Sequence, residues 1–286
     1  MKHDQAEGLR RKLDRRNQSG QAKTLAVISG KGGVGKSNFA LNFSLQLINN
    51  GKKILLIDLD VGMGNIDILL GNRAEKTIVN LFEERLSIHE VIEQGPNGLS
   101  YIAGGSGLSN FFQMDESDRS YFYEQYMELA QTYDYILFDM GAGVTEESLF
   151  FILASDECIV ITTPEPTSVT DAYGMIKHVV NRKHDMRLHV ILNRAPNYQD
   201  GLKSLERFKA VVTKFLHVKI HSMGIIPDDK VVAQAIVRQI PYTLYNEKSK
   251  AAKALKEITY NYVTQTKQVN RTTSSFVQRL KQLMEM

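Results

Sequence analysis

The chain has 286 residues, 43% of them hydrophobic and 23% charged, with a net charge of +3 and a single cysteine. It can bury one large core and cannot form an intrachain disulfide; lacking an 18-residue apolar run or a charged-then-apolar leader, it is expected to be soluble and cytoplasmic. Residues 1–23 sum to +4, 267–286 to +3 and 24–266 to −4, which argues against a body that coats DNA and for termini that meet acidic partners or anionic lipid.

The basic arm comes first. Ala6, Leu9 and Leu13 fall on one side at helical spacing, and Gly8 weakens that helix by about 1 kcal/mol relative to Ala. Residues 1–23 are therefore expected to be disordered alone and to fold on a partner. An apolar strand from Leu25 to Ser29 leads into Gly30 to Ser37, which fits G-x-x-x-x-G-K-[ST], and an apolar helical pattern follows over 38–49. Strand, glycine loop and helix form a context in which backbone N–H groups cradle phosphate. Gly32, Gly33 and Gly35 allow the tight turn, Lys36 reaches the β- and γ-phosphates, and Ser37 offers Mg²⁺ a hydroxyl. Lys31 is one lysine more than this loop needs.

Further strands are predicted at Lys53 to Asp58, Leu99 to Ala103, Tyr135 to Asp139, Glu157 to Thr162, Leu188 to Asn193 and Lys219 to Ile225. Helices are predicted at 117–132, 146–153, 167–183, 200–216, 229–236 and 247–266. This alternation predicts an α/β fold: a single P-loop NTPase domain over 24–266, with a mostly parallel sheet flanked by helices on both faces and ligands at the strands' carboxyl ends. Two strand ends there carry acids. Asp139 suits the Walker-B role at Mg²⁺, Asp60 can orient an attacking water, and Asp58, on the same side of its strand, can support Mg²⁺ through water. Cys158, in apolar "ECIVITT", is expected to be buried and inert.

The last segment, 267–286, is a polar linker followed by "FVQRLKQLMEM". Phe276, Val277, Leu280, Leu283 and Met284 share an arc of roughly 120°, flanked by Arg279 and Lys281. That pattern fits a short amphipathic helix that binds anionic membrane reversibly; the same face could instead pack on its own domain, or dock in the monomer and be released in a dimer.

"GKGGVGKS", with a lysine directly after its first glycine, resembles the deviant Walker A of the MinD/ParA ATPases. "IDLDVGMGNIDILLG" looks like their switch I, "ILFDMGAG" their switch II, "ITTPEPTSVTDAYGMIK" a later MinD-like stretch and "GIIPDD" their base-binding loop. The resemblance implies a slow, Mg²⁺-dependent ATPase that forms an ATP-sandwich homodimer, in which Lys31 touches the partner's nucleotide while Lys36 serves its own. It places ATP or ADP on Gly30, Lys31, Gly32, Gly33, Val34, Gly35, Lys36, Ser37 and Asn38, with Asp139 nearby and the base at Asn193, Arg194, Pro227 and Asp228. It assigns catalysis to Asp60, Lys31 and Lys36, and metal support to Ser37, Asp58 and Asp139. Ser37-Asn38 replaces the more usual Thr-Thr, and Met140-Gly141 replaces the common Ser/Thr-Pro of switch II.

Within that family, Asp4, Gln5 and Ala6 followed by Leu9 and Arg10 are similar to the activator segment of the flagellar-number group (FlhG, also YlxH or FleN). The similarity implies control of flagellar number and placement, with stimulation of the signal-recognition-type GTPase FlhF through the arm, a flagellar C-ring component as a further partner, and peripheral attachment to the cell membrane's inner face when ATP is bound. No specific nucleic acid is expected. The alternatives are a division-site regulator, disfavoured by the extra arm, and a DNA-segregation ATPase, disfavoured by the acidic body. A shared iron–sulfur cluster is nearly excluded, because two chains supply only two thiolates.

Overall fold

Alternating side chains let each central strand serve two cores at once. The structure is a computed structural model that describes residues 22–105, 114–266 and 275–285. Its strands are β1 (Lys23–Ile28), β2 (Ile54–Leu59), β3 (Glu93–Gln94), β4 (Ser100–Ile102), β5 (Tyr135–Met140), β6 (Glu157–Thr162), β7 (Arg187–Ala195) and β8 (Ile220–Pro227). They form one sheet in the order β3-β4-β2-β5-β1-β6-β7-β8, parallel throughout except for the β3–β4 edge.

The helices are α1 (Lys36–Asn49), α2 (Ile66–Leu69), α3 (Ile78–Glu83), α4 (Glu116–Leu129), α5 (Glu146–Ala154), α6 (Pro166–Arg182), α7 (Tyr198–Leu216), α8 (Lys230–Val237), α9 (Tyr242–Tyr245), α10 (Lys250–Thr266) and α11 (Phe276–Met284). Ala26, Ile136, Phe138 and Val160 join a core with Phe122 of α4, Phe151 of α5, Val179 of α6 and Phe208 of α7. Leu25, Val27, Leu137 and Ile159 join another with Phe39 and Phe43 of α1, Tyr242 of α9 and Leu255 of α10. Helices on both faces cover the apolar strands, as expected of a parallel sheet.

The seven strands read from the sequence are present. β3 was not legible, because two polar residues antiparallel to an edge carry no periodic signal. Cys158 is buried, and burial pushes its thiol up to about 12.

The C-terminal helix is docked on its own domain. Ser275 caps it by accepting from Gln278 N at 3.3 Å. Phe276, Val277 and Leu280 are buried, with Leu283 and Met284 packed beside them. The Phe276 ring lies 4.4 Å from that of Tyr126 and 5.4 Å from that of Phe138. Arg279 is buried as well, donating from Nε to the Ala154 carbonyl at 2.7 Å and pairing with Asp156 at 2.6 Å. The apolar arc suited to lipid thus fills a groove against α4 and α5. Asp4, Gln5, Ala6, Leu9 and Arg10 lie outside the described residues. Among the described residues, no helix is long and apolar enough to cross a membrane.

Candidate nucleotide site

The glycine loop sits at the carboxyl end of β1, between β5 and β6 near the middle of the sheet. Gly33 and Gly35 have φ of 76° and 92°, a left-handed backbone that glycine adopts without the steric penalty of a side chain. At Gly35 a Cβ would also meet Asn193 Nδ2, which instead donates to the Val34 carbonyl at 2.8 Å. Gly30 runs against the backbone of Asp171 in α6, with no room for a side chain. Helix α1 begins at Lys36 without a side-chain cap and with no acid in its first turn. Its first N–H groups and the positive end of its dipole therefore remain available to an anion.

Lys36 turns inward. Its Nζ lies 2.6 Å from Asp139 Oδ1 in a buried pair, and 3.4 Å from Ser37 Oγ. The second oxygen, Asp139 Oδ2, is buried without a hydrogen-bond partner. A buried carboxylate oxygen left open, beside a hydroxyl and an uncapped helix start, suits a phosphate chain with Mg²⁺ in its hydration shell.

The two acids at the carboxyl end of β2, Asp58 within it and Asp60 just beyond it, are divided in their tasks. Asp58 faces Asp139 across the β2–β5 register, yet its oxygens are engaged: Oδ1 accepts from Asp60 N at 3.0 Å, and Oδ2 from Asn65 N at 2.8 Å and Ile66 N at 3.2 Å. Burial, and then the Asp139 charge, push its carboxyl up to about 7 against those donors. Asp58 thus shapes the 60–66 loop directly. Asp60 is partly buried, and its Oδ1 lies against Gly141, where a Cβ would come within 3.3 Å. Burial raises its carboxyl above the ordinary range, offset in part by Lys36.

Lys31 points away from its own loop. Its side chain is 44% exposed, with Nζ 3.6 Å from Glu165 Oε2 and 3.3 Å from Thr167 Oγ1. Asn38 is tied to Asn42, whose amide reaches its side-chain oxygen at 2.7 Å. Asn193 and Arg194 lie just before the end of β7 and Pro227 ends β8; Asp228 N donates to the Ala195 carbonyl at 2.8 Å, joining the two ends. The base-site candidates thus meet at one corner, with Asn193 touching the glycine loop. Sequence reasoning missed Glu165 and Thr167, which hold Lys31, and Asp171, which closes on Gly30. They lie more than 130 positions from the residues they touch, and only the pairing of β1 with β6 brings them there.

A family profile described as an AAA domain matches residues 22–190. The antiactivator FleN of Pseudomonas aeruginosa is 32% identical over 237 residues, covering 82% of this chain and 84% of the relative. The flagellum site-determining protein YlxH of Helicobacter pylori is 31% identical over 218 residues, 76% of this chain and 74% of the relative. Among solved structures, the septum site-determining protein MinD of Pyrococcus horikoshii, complexed with Mg-ADP, superposes with a TM-score of 0.70 at 22% identity, over 86% of this chain and 97% of that one.

Proposed function

We propose that this chain, which belongs to the MinD/ParA family of P-loop ATPases, works as an ATP-driven dimerisation switch that controls the number and placement of flagella. The flagellar part rests on its similarity to FleN and YlxH. The switch rests on the division between two lysines: Lys36 is buried in its own site, while Lys31 stands half-exposed at the loop's outer edge.

The residues assign the steps. Lys36 exchanges Asp139 for phosphate and leaves that carboxylate free for the metal's water shell. The α1 amides and Ser37 hold the phosphates, and bound Mg²⁺ supplies charge neutralisation. Asp60 orients the attacking water. Lys31 leaves Glu165 to reach the nucleotide of a second copy, where a cation stabilises charge on the transferring group. The Lys31–Glu165 pair is exposed and worth little, about 0–1 kcal/mol, so it is readily exchanged. The dimer then persists while ATP does.

Around this switch we place FlhF on Asp4, Gln5, Ala6, Leu9 and Arg10, a flagellar C-ring component on the body, and anionic membrane on Phe276, Val277, Leu280, Leu283 and Met284 once α11 leaves its groove. Sedimentation velocity in ATP and in ADP tests the core of the reading. Wild type should dimerise with ATP, Lys31→Ala should stay monomeric while still binding ATP, and Asp60→Ala should accumulate as dimer with slowed hydrolysis. Normal hydrolysis by Asp60→Ala removes its water-positioning role, and unimpaired dimerisation of Lys31→Ala removes the cross-subunit role.

A further inference from the structure

At the end of the sheet opposite the glycine loop, the starts of β7 and β8 border an open cleft of about 400 Å³, lined by His184, Asp185, Arg187, His217, Lys219 and His221 among others. Five of these six side chains are cationic or become so on protonation. Parallel pairing sets His221 beside His189, with ring centroids 5.4 Å apart.

The neighbouring buried acid is already occupied. Glu157, at the start of β6, accepts from Lys23 Nζ at 2.7 Å and from the Tyr262 hydroxyl at 2.8 Å, with His189 Nε2 at 3.1 Å and Arg187 at 3.2 Å. Among the described residues, no ion pair includes Lys219, His184, His217 or His221. Helices α6 and α7 also end here, and their dipoles account for isolated cations. They do not account for four such side chains, His184, His217, Lys219 and His221, lining one cleft without an ion pair among the described residues. His217, moreover, holds φ at 55° at the end of α7, a position that favours glycine.

We propose that this cleft binds the phosphoryl group of a small anionic molecule, with Lys219 as a fixed cation, Arg187 contributing the guanidinium N–H groups that Glu157 does not take, and His217 and His221 as imidazole donors. A guanidinium fork matches phosphate oxygens in a bidentate way, and clefts of this size take small molecules. A carboxylate would be met by one such fork, whereas a dianion uses cations drawn from several segments. Burial, then the charges of His189, Arg187 and Lys219, hold the His221 imidazole below its usual range, against the opposing pull of Glu157. A bound anion reverses that field, so affinity rises as pH falls through the imidazole range.

The test uses the full chain with Mg-ADP present, so that the glycine loop is filled, and reads the imidazole NMR signals of His217 and His221. Inorganic phosphate and glycerol phosphate are titrated separately, with acetate as the carboxylate control. The expected result is a saturable shift with phosphate and an upward move of the His221 titration. Lys219→Glu, an exposed change, should weaken binding by at least about tenfold, as loss of one charge-assisted contact implies. A response to glycerol phosphate as well assigns the site to phosphomonoesters; a response to phosphate alone assigns it to the free ion. A shift that does not saturate, that survives Lys219→Glu, or that acetate reproduces overturns the proposal. Because the readout is local, failed ATP-driven dimerisation would leave it unaffected.

Discussion

Lys36 and Asp139 neutralise each other in the interior, 2.6 Å apart. Removing one partner strands the other charge, at a typical cost of about 3–5 kcal/mol. Lys36→Ala should therefore both abolish ATP binding and lower the stability of the nucleotide-free chain by about that amount, measured by urea unfolding; adding Asp139→Ala should restore part of the stability but none of the binding. Glu157 is a second buried charge with a different balance. Burial pushes its carboxyl up, but the His189 hydrogen bond and the Lys23 charge outweigh it, and the group is held well below its ordinary 4.5. Lys23 moves otherwise: burial lowers its ammonium and outweighs the opposing pull of Glu157. Below pH 4.5 the unfolded chain takes up the Glu157 proton before the folded one does, so this stabilisation is complete above that pH and is lost as pH falls. Glu157→Gln should flatten the pH dependence of unfolding in that acid window, and an unchanged slope would show that other carboxylates dominate it.

Helix α11 turns its amphipathic face onto its own domain. Nine residues are too few for a stable helix in water, so its order comes from burying Phe276, Val277 and Leu280, each worth about 1.5–3 kcal/mol when fully buried. Arg279 adds direction, since it spans from the apolar groove to the Ala154 carbonyl and Asp156. Arg279→Gln should loosen the docked helix and make sedimentation with anionic liposomes less dependent on nucleotide. Leu280→Asp should abolish lipid binding in both ATP and ADP. If Arg279→Gln retains the wild-type ATP dependence, this latch does not set the helix's release. The glycine loop is ordered by a different device: left-handed turns at Gly33 and Gly35, closed over by Asn193 from a distant strand.

For the molecule as a whole, ATP acts by mass action. A ligand at 100 times its Kd stabilises the folded state by about 2.7 kcal/mol. In Asp60→Ala, which should hold ATP, thermal unfolding is expected to depend on protein concentration with ATP and to be independent of it with ADP, because only the former couples folding to dimerisation. The basic arm should act apart from this cycle: Gln5→Ala is expected to leave ATP turnover intact and to lose stimulation of the FlhF GTPase. Unchanged stimulation would remove the arm's proposed activator role.

The sequence by itself determined the alternating α/β plan, the glycine loop and the acids at the carboxyl ends of β2 and β5, because these are local patterns of periodicity, spacing and backbone freedom. It also revealed the apolar arc of α11, but not the surface that covers it, since burial against Tyr126 and Phe138 depends on residues more than 130 positions away. Tertiary structure alone paired Lys36 with Asp139, set Asp58 to hold the 60–66 loop and placed Glu165 beside Lys31. It likewise gathered the basic side chains at and before the starts of β7 and β8 into one cleft. Those choices follow from strand order and register, which bring together side chains that no local pattern relates.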